Sequence, residues 1–354
     1  MASLCRAPLR FQRTLSPALL YGGSRRLAHN ASAKPVELAY AHYEVPITSK
    51  KPRKEKSPLV FLHGLFGSKT NYGSISKLLA RSLRRDVYCF DLRNHGASGH
   101  RKVHDYISMA DDVQYMFDRM GLSDVTLIGH SMGAKVAMTV ALRSPEHVRN
   151  FIAVDNAPIE AQLSSKFGQY VQAMKRIEEA KVEKTRDAMK ILEEYESDIG
   201  IRSFLMTNLI RVKGLPYYKW RIPVKILGQA LDNVAGFPFH PDEEQFKKPC
   251  LFIRGTKSHY VPDETIPIIG RFFPRFRMME VDAGHWLIAE KPLEFAKAVQ
   301  EFVTAEENMK EGEEEEVDEE TKDWTIEDYM KSGKIKVVVN EVQSKEAVKE
   351  LRGQ

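Results

Sequence analysis

The sequence predicts an α/β protein: a mostly parallel central sheet flanked by helices, with an inserted helical lid. Three observations predict it. Short β-rich runs alternate with longer amphipathic stretches from Glu37 to about Asp155, and the same alternation resumes after a gap. Such alternation is the pattern of strands buried on both faces with helices laid over them. The third observation is "LIGHSMGAK", residues 127–135, which sets Ser131 between Gly129 and Gly133 where a strand must become a helix.

Residues 1–36 hold five arginines, one lysine and no acid, with serines throughout, as a mitochondrial transit peptide does. Their apolar centre, "PALLYGG", is too short for a secretory signal, and no stretch of the chain approaches the roughly 18 apolar residues of a spanning helix. This leader carries +6 against a net charge of +5 for the whole chain, so the rest carries −1. A matrix location is expected, and no basic stripe with interleaved aromatics argues for nucleic acid.

Residues 37–158 form the first part of the core. "PLVFLHG" (58–64), "DVYCFDL" (86–92), "DVTLIGH" (124–130) and "NFIAVD" (150–155) read as strands, and 71–85, 105–120 and 132–143 have helical apolar spacing, with Pro145 beyond the last. Residues 159–246 read almost wholly as charged amphipathic helix, an insertion that most simply covers the carboxyl edge of the sheet. The core resumes over 247–305 with strands "PCLFIRG" (249–255) and "FRMMEVD" (276–282), a helical stretch near 263–273 and a final helix 291–304. The extension 306–354 begins too acidic and too poor in apolar residues to fold alone, although "KIKVVVNEV" has the makings of a strand. This tail is the expected place for any protein partner.

Cys89 and Cys250 fall in different strands and read as reduced core residues. There is no H-E-x-x-H, C-x-x-C or G-x-G, and in "GLFGSKT" Gly67 is followed by serine rather than the lysine of a phosphate loop. Neither a metal nor a tightly bound cofactor is expected.

A sharp strand-to-helix turn strains the backbone of its central residue, and glycines two positions either side let strand and helix approach. The turn lifts the Ser131 hydroxyl above the sheet and sets it at the positive end of the helix that begins at Met132. Ser131 is therefore a candidate nucleophile, and a serine hydroxyl needs a histidine to take its proton. Among eleven histidines, His285 in "VDAGHWLIAEKP" follows the last strand and should open on the same edge. His63, His95 and His130 read as loop-shaping hydrogen-bonding residues, and His147 and His240 as surface residues. In many proteins with this turn the orienting acid lies in a G-x-x-D-x-x-V-P pattern, but here "GTKSHYVP" puts Ser258 in its place. Asp155, at the end of the strand after the serine's helix, is the favoured acid, and Asp263, five residues beyond Ser258, is the alternative. Two N–H donors must face the oxyanion, and losing one typically costs about 3 to 4 kcal/mol of barrier. Met132 N–H supplies one by position; Leu65 N–H, in "HGLFGS", is the first choice for the other, and Phe66 N–H the second.

"FLHGLFGS", "DLRNHGASGH", "GHSMGAK", "AVDNAP" and "DAGHWL" follow one another in an order that resembles the α/β-hydrolase fold, and more narrowly the mitochondrial abhydrolase-domain-containing protein 11 family and the related yeast ethanol acetyltransferases. The resemblance covers about 58–305. It departs at Ala134, where relatives often have glycine, and in the acidic extension. It implies a serine esterase, lipase or thioesterase acting on a small ester, thioester or acyl-CoA through Ser131, Asp155 and His285. Acyl transfer from acetyl-CoA to ethanol is the alternative on the same residues, and an acid at the "VD" position of the acetyltransferases supports Asp155. A partner-binding protein with little catalysis is the reading from another class. In the lid, Arg211, Lys213, Lys219 and Arg221 suit either an anionic head or a solvated edge.

Overall fold

The computed structural model describes residues 34–44, 56–160, 165–311 and 336–340. Residues 1–33, most of the expected leader, and most of the acidic extension lie outside them. Val36 is already part of the folded body: it is buried, and its N–H donates to Asp112 at 2.7 Å.

The chain enters through an edge strand, β1 (Tyr40–Glu44), which the sequence reading passed over because "YAHYE" alternates buried and half-buried positions without an apolar run. Then come β2 (Leu59–Leu62), α1 (Gly73–Ser82), β3 (Val87–Phe90), α2 (Tyr106–Met120), β4 (Val125–His130), α3 (Met132–Arg143) and β5 (Val148–Val154). These match the expected runs to within two residues except at the end of α1. Asp105 caps α2 by accepting from Ser108 N–H at 2.7 Å, and Gly121, at φ 65°, ends it in the left-handed conformation that glycine adopts freely.

The insertion contains α4 (Ser165–Glu179), α5 (Thr185–Glu193), α6 (Ile199–Met206), a hairpin of β6 (Leu209–Arg211) and β7 (Tyr218–Trp220), then α7 (Val224–Gln229) and α8 (Leu231–Ala235). The hairpin is the departure from an insertion read as almost wholly helical. Its strands are only three residues long, too short for a period to register, and Gly214, at φ 91°, supplies the turn between them. The core resumes with β8 (Cys250–Gly255), α9 (Ile266–Phe272), β9 (Phe276–Val281), α10 (Leu287–Glu290), α11 (Pro292–Glu311) and, after residues outside the description, β10 (Lys336–Asn340).

The eight main strands run in the order β10-β1-β3-β2-β4-β5-β8-β9. Pairing is parallel from β3 through β9; β1 is antiparallel to both β3 and β10. The run "KIKVVVNEV" thus does supply a strand, on the outer side of β1. Side chains alternate across the sheet: Val60 and Leu62 join the apolar layer shared with α2, α3 and the lid, while Leu59 and Phe61 join the layer under α1 and α11. Burying each such side chain is worth roughly 1.5–3 kcal/mol, so two layers on one sheet hold β2 and β4, buried throughout, at the centre. Cys89 and Cys250 are buried free thiols on β3 and β8.

The extension is tied down where it starts. Glu306 pairs with Arg277 at 2.7 Å and Glu307 with the buried Arg85 at 2.6 Å, so its first acids belong to the body of the protein. Among the described residues no helix is long and apolar enough to cross a membrane.

Candidate active site

Parallel strands deliver their following loops to one edge of a sheet, and β2, β4, β5, β8 and β9 are consecutive neighbours in this one. The turn after β4 is as tight as the sequence requires. Ser131 stands at φ 55° and ψ −119°, a strained conformation for any residue but glycine. A Cβ on Gly129 would lie 2.0 Å from Gly133 O, and one on Gly133 would lie 2.2 Å from Leu62 O. Strand and helix backbones are in contact there, and no side chain fits between them.

The strand after α3 ends at Val154, and Asp155 follows it with φ 52°. Its backbone N–H donates to Ile253 O of β8 at 2.8 Å, which aims the carboxyl group across the strand ends. From the loop after β9 comes His285. Its Nε2 lies 2.9 Å from Ser131 Oγ, and its Nδ1 lies 2.6 Å from Asp155 Oδ2. Ser258 Oγ donates to the same Oδ2 at 2.5 Å, and Gly255 N–H to Oδ1 at 3.0 Å. Burial works against the charge on Asp155, but its bond to His285, the His285 charge, Ser258 and Gly255 outweigh it and hold the carboxyl below the usual carboxylate range. Ser258, standing where many proteins with this turn carry the acid, thus bonds to the carboxylate of Asp155.

Asp263 is not brought to His285. It is largely exposed and accepts from Arg254 at 2.6 Å. His285 is instead held by its neighbours: its ring stacks on Tyr260 with centroids 4.0 Å apart, and its carbonyl accepts from His130 Nε2 at 2.8 Å. Burial, and then the His285 charge, lower His130 to about 4, so it is neutral when it makes that bond.

Leu65 and Met132 both line the pocket that opens at Ser131, with Lys135, Asn156, Phe167, Val234 and Tyr260. As the first residue of α3, Met132 has no intrahelical acceptor for its N–H. Phe66 N–H, the second choice of donor, is committed to His95 Nε2 at 3.1 Å, while Leu65 N–H has no acceptor among the described residues. His63 fixes the peptide group before Leu65: its Nδ1 donates to Gly64 O at 2.8 Å while its Nε2 accepts from Leu92 N–H at 3.0 Å. Burial lowers His63 to about 4, and His95 too is held well below its ordinary value by burial, so both are neutral loop-shaping residues, as expected.

Sequence reasoning missed Lys135. It is 1% exposed, one turn into the serine's helix, and its Nζ donates to Ile159 O and Ala235 O at 2.8 Å and to Gly236 O at 2.9 Å. Those carbonyls belong to the first residue of the lid and the end of α8, so one ammonium ties both flanks of the lid to α3. The available signal was a lone charge in "MGAKVAMTVAL", where every other position is apolar or small. The lid's Arg211, Lys213, Lys219 and Arg221 are absent from the pocket lining. Arg211 instead donates to Pro216 O at 2.6 Å across its own hairpin. Among the described residues no group of three or more His, Cys, Asp or Glu is arranged to hold a metal ion.

A serine on a strained strand-to-helix turn, bonded to a histidine that is bonded to a buried carboxylate at the carboxyl edge of a covered parallel sheet, defines an α/β hydrolase. The comparisons with known proteins agree. A family model described as alpha/beta hydrolase fold matches residues 57–292, and the chain belongs to this family. It is 40% identical over 271 residues to a "Probable alcohol acetyltransferase" of Saccharomyces cerevisiae, covering 72% of this chain and 79% of that protein. It is 38% identical over 252 residues to the "sn-1-specific diacylglycerol lipase ABHD11" of Xenopus tropicalis, covering 70% and 77%. Among solved structures, a "Marine microorganism esterase" superposes with a TM-score of 0.68 at 30% identity, covering 75% of this chain and 99% of that one. With such relatives on both sides, the chain is an enzyme of the ester-cleaving kind.

Proposed function

We propose that the protein is a mitochondrial serine hydrolase that cleaves carboxylic ester or thioester bonds through Ser131, His285 and Asp155. The observation that carries this reading is the continuous chain of hydrogen bonds from Ser131 Oγ to His285 Nε2 at 2.9 Å and from His285 Nδ1 to Asp155 Oδ2 at 2.6 Å. Ser131 Oγ attacks the substrate carbonyl carbon and its proton passes to His285 Nε2. Asp155 orients the ring and stabilises the imidazolium. The oxyanion of the tetrahedral intermediate lies against Leu65 N–H and Met132 N–H. Collapse breaks the bond to the leaving alcohol or thiol, which takes the proton from His285. Water then attacks the acyl-enzyme, giving its proton to His285, and the second collapse releases the acid and returns the proton to Ser131. The basic, serine-rich leader supports the mitochondrial location.

Acyl transfer is the second reading, and the 40% identity to a named alcohol acetyltransferase favours it. The first half-reaction is the same; ethanol replaces water in the second and acetyl-CoA is the donor. One experiment tests both. Purified protein and its Ser131→Ala variant are given acetyl-CoA or a p-nitrophenyl ester, with and without ethanol, and free acid and ethyl ester are quantified. Ser131-dependent acid supports the hydrolase, and Ser131-dependent ethyl ester the transferase. Equal rates in wild type and variant, with no labelling of Ser131 by a fluorophosphonate, would overturn both and favour a partner-binding role.

A further inference from the structure

The loop that carries Leu65 is held at three successive peptide groups. Across a trans peptide the C=O and N–H point in opposite directions, so whatever binds the Gly64 carbonyl also sets the direction of Leu65 N–H. His63 Nδ1 and Gly67 N–H bind that carbonyl at 2.8 and 2.9 Å, and His95 Nε2 holds the next peptide by accepting Phe66 N–H at 3.1 Å. Both histidines belong to the hydrolase core. The third peptide is held at both ends: its N–H, that of Gly67, makes the bond to Gly64 O, and its carbonyl, Phe66 O, accepts at 2.8 Å from Asn208 Nδ2, which belongs to the lid, between α6 and β6.

Phe66 needs that support. Its φ is 63°, in the left-handed region where a side chain is strained, so its turn persists only while its surroundings hold it. Asn208 is 3% exposed and Phe66 is 1% exposed, so water cannot easily replace the bond if the lid group is removed. Asn208 is itself fixed, its carbonyl accepting Arg221 N–H at 2.7 Å from just beyond β7. The Phe66 ring faces Phe167 of lid helix α4, with centroids 6.2 Å apart. Lid and loop are therefore in register through one polar and one apolar contact.

We propose that Asn208 is a positioning residue through which the seated lid steadies the Phe66–Gly67 peptide, whose N–H binds Gly64 O, and so helps hold Leu65 N–H toward the Ser131 hydroxyl. This rests on the reading of Leu65 N–H as an oxyanion donor. The lid then does more than cover the pocket: its docking steadies the group that stabilises the transition state. An interaction of this kind acts on the oxyanion and not on ground-state binding, so its loss falls on kcat.

The test compares wild type, Asn208→Leu, which keeps the bulk and loses the donor, and the milder Asn208→Ser, in case the leucine variant does not fold. Steady-state kcat and KM are measured on a p-nitrophenyl ester, with the inhibition constant of a trifluoromethyl ketone, whose adduct with Ser131 carries an oxyanion, and the melting temperature. The expected result is a 10- to 100-fold fall in kcat with KM within about twofold. The ketone's inhibition constant should rise by the same factor as kcat/KM falls. A lower melting temperature with kcat and ketone affinity unchanged, in whichever variant folds, overturns the proposal and leaves Asn208 a purely structural lid residue. Failure of the underlying reading looks different: wild type itself would then show no turnover or labelling that depends on Ser131.

Discussion

Ser258 donates its hydroxyl to Asp155 Oδ2 at 2.5 Å, on the same oxygen that meets His285 Nδ1 at 2.6 Å. The loop after β8 and the end of β5 therefore converge on one point beside the histidine, and a carboxylate from either could reach it. In this chain the carboxylate comes from β5 and the loop after β8 supplies a hydroxyl that stabilises its charge. Two carboxylates there would repel one another, and one would stay protonated.

The position of the acid can accordingly be moved. Asp155→Asn should lower kcat by about 10³- to 10⁴-fold, since the amide cannot stabilise the imidazolium. Asp263→Asn should leave kcat within about twofold, because Asp263 faces Arg254. Adding Ser258→Asp to Asp155→Asn should recover roughly tenfold or more of the loss by supplying a carboxylate from the other loop. Steady-state hydrolysis of a p-nitrophenyl ester by the four proteins reads this directly. A dead Asp263→Asn variant, or no recovery in the double variant, would count against the convergence described here.

The serine's turn should tolerate no side chain at its glycines. A Cβ on Gly133 would meet Leu62 O at 2.2 Å and His63 O at 2.7 Å, both backbone atoms of the central strand and its loop. Gly133→Ala should cost about 3 kcal/mol or more, since helix and sheet must separate. Gly168→Ala, on lid helix α4 with no atom within 4 Å of the added carbon, should instead stabilise by up to about 1 kcal/mol. Urea unfolding of the two variants checks both signs, and equal effects would refute the close approach.

Lys135 should make stability rise with pH. Burial lowers its ammonium from 10.5 to about 7, with Glu160 opposing the shift. Below about 7 both folded and unfolded chains hold the proton and the cost of the buried charge is fully present. Between about 7 and 10.5 the unfolded chain binds the proton that the folded chain has released, so stability increases with pH. The slope is at most about 1.4 kcal/mol per pH unit. The difference in unfolding free energy between wild type and Lys135→Met, measured in urea at pH 6.5 and pH 9, should shift toward wild type at the higher pH. A pH-independent difference would mean that the three carbonyls of the lid flanks keep the ammonium charged throughout.

The sequence determined by itself whatever is written in neighbouring residues. Apolar runs bounded by glycine and polar residues marked the parallel strands of the core, and the Gly129–Ser131–Gly133 spacing marked the turn, because the strain and close approach it relieves are local. Ser131 and His285 were legible for the same reason: each sits at a strand end with a helix following. The acid was only narrowed to Asp155 or Asp263, since both follow strands that end at the same edge. What sets Asp155 and not Asp263 beside His285 is the pairing of β5 with β8, which brings Asp155 N–H to Ile253 O and its carboxylate to His285, while Asp263 pairs with Arg254. Lys135 and Asn208 were not legible at all. Their partners are backbone carbonyls 24, 100, 101 and 142 residues away, and a carbonyl leaves no mark in a sequence because every residue carries one. Only the folded chain, by burying those carbonyls where water cannot reach them, gives the two side chains something to hold.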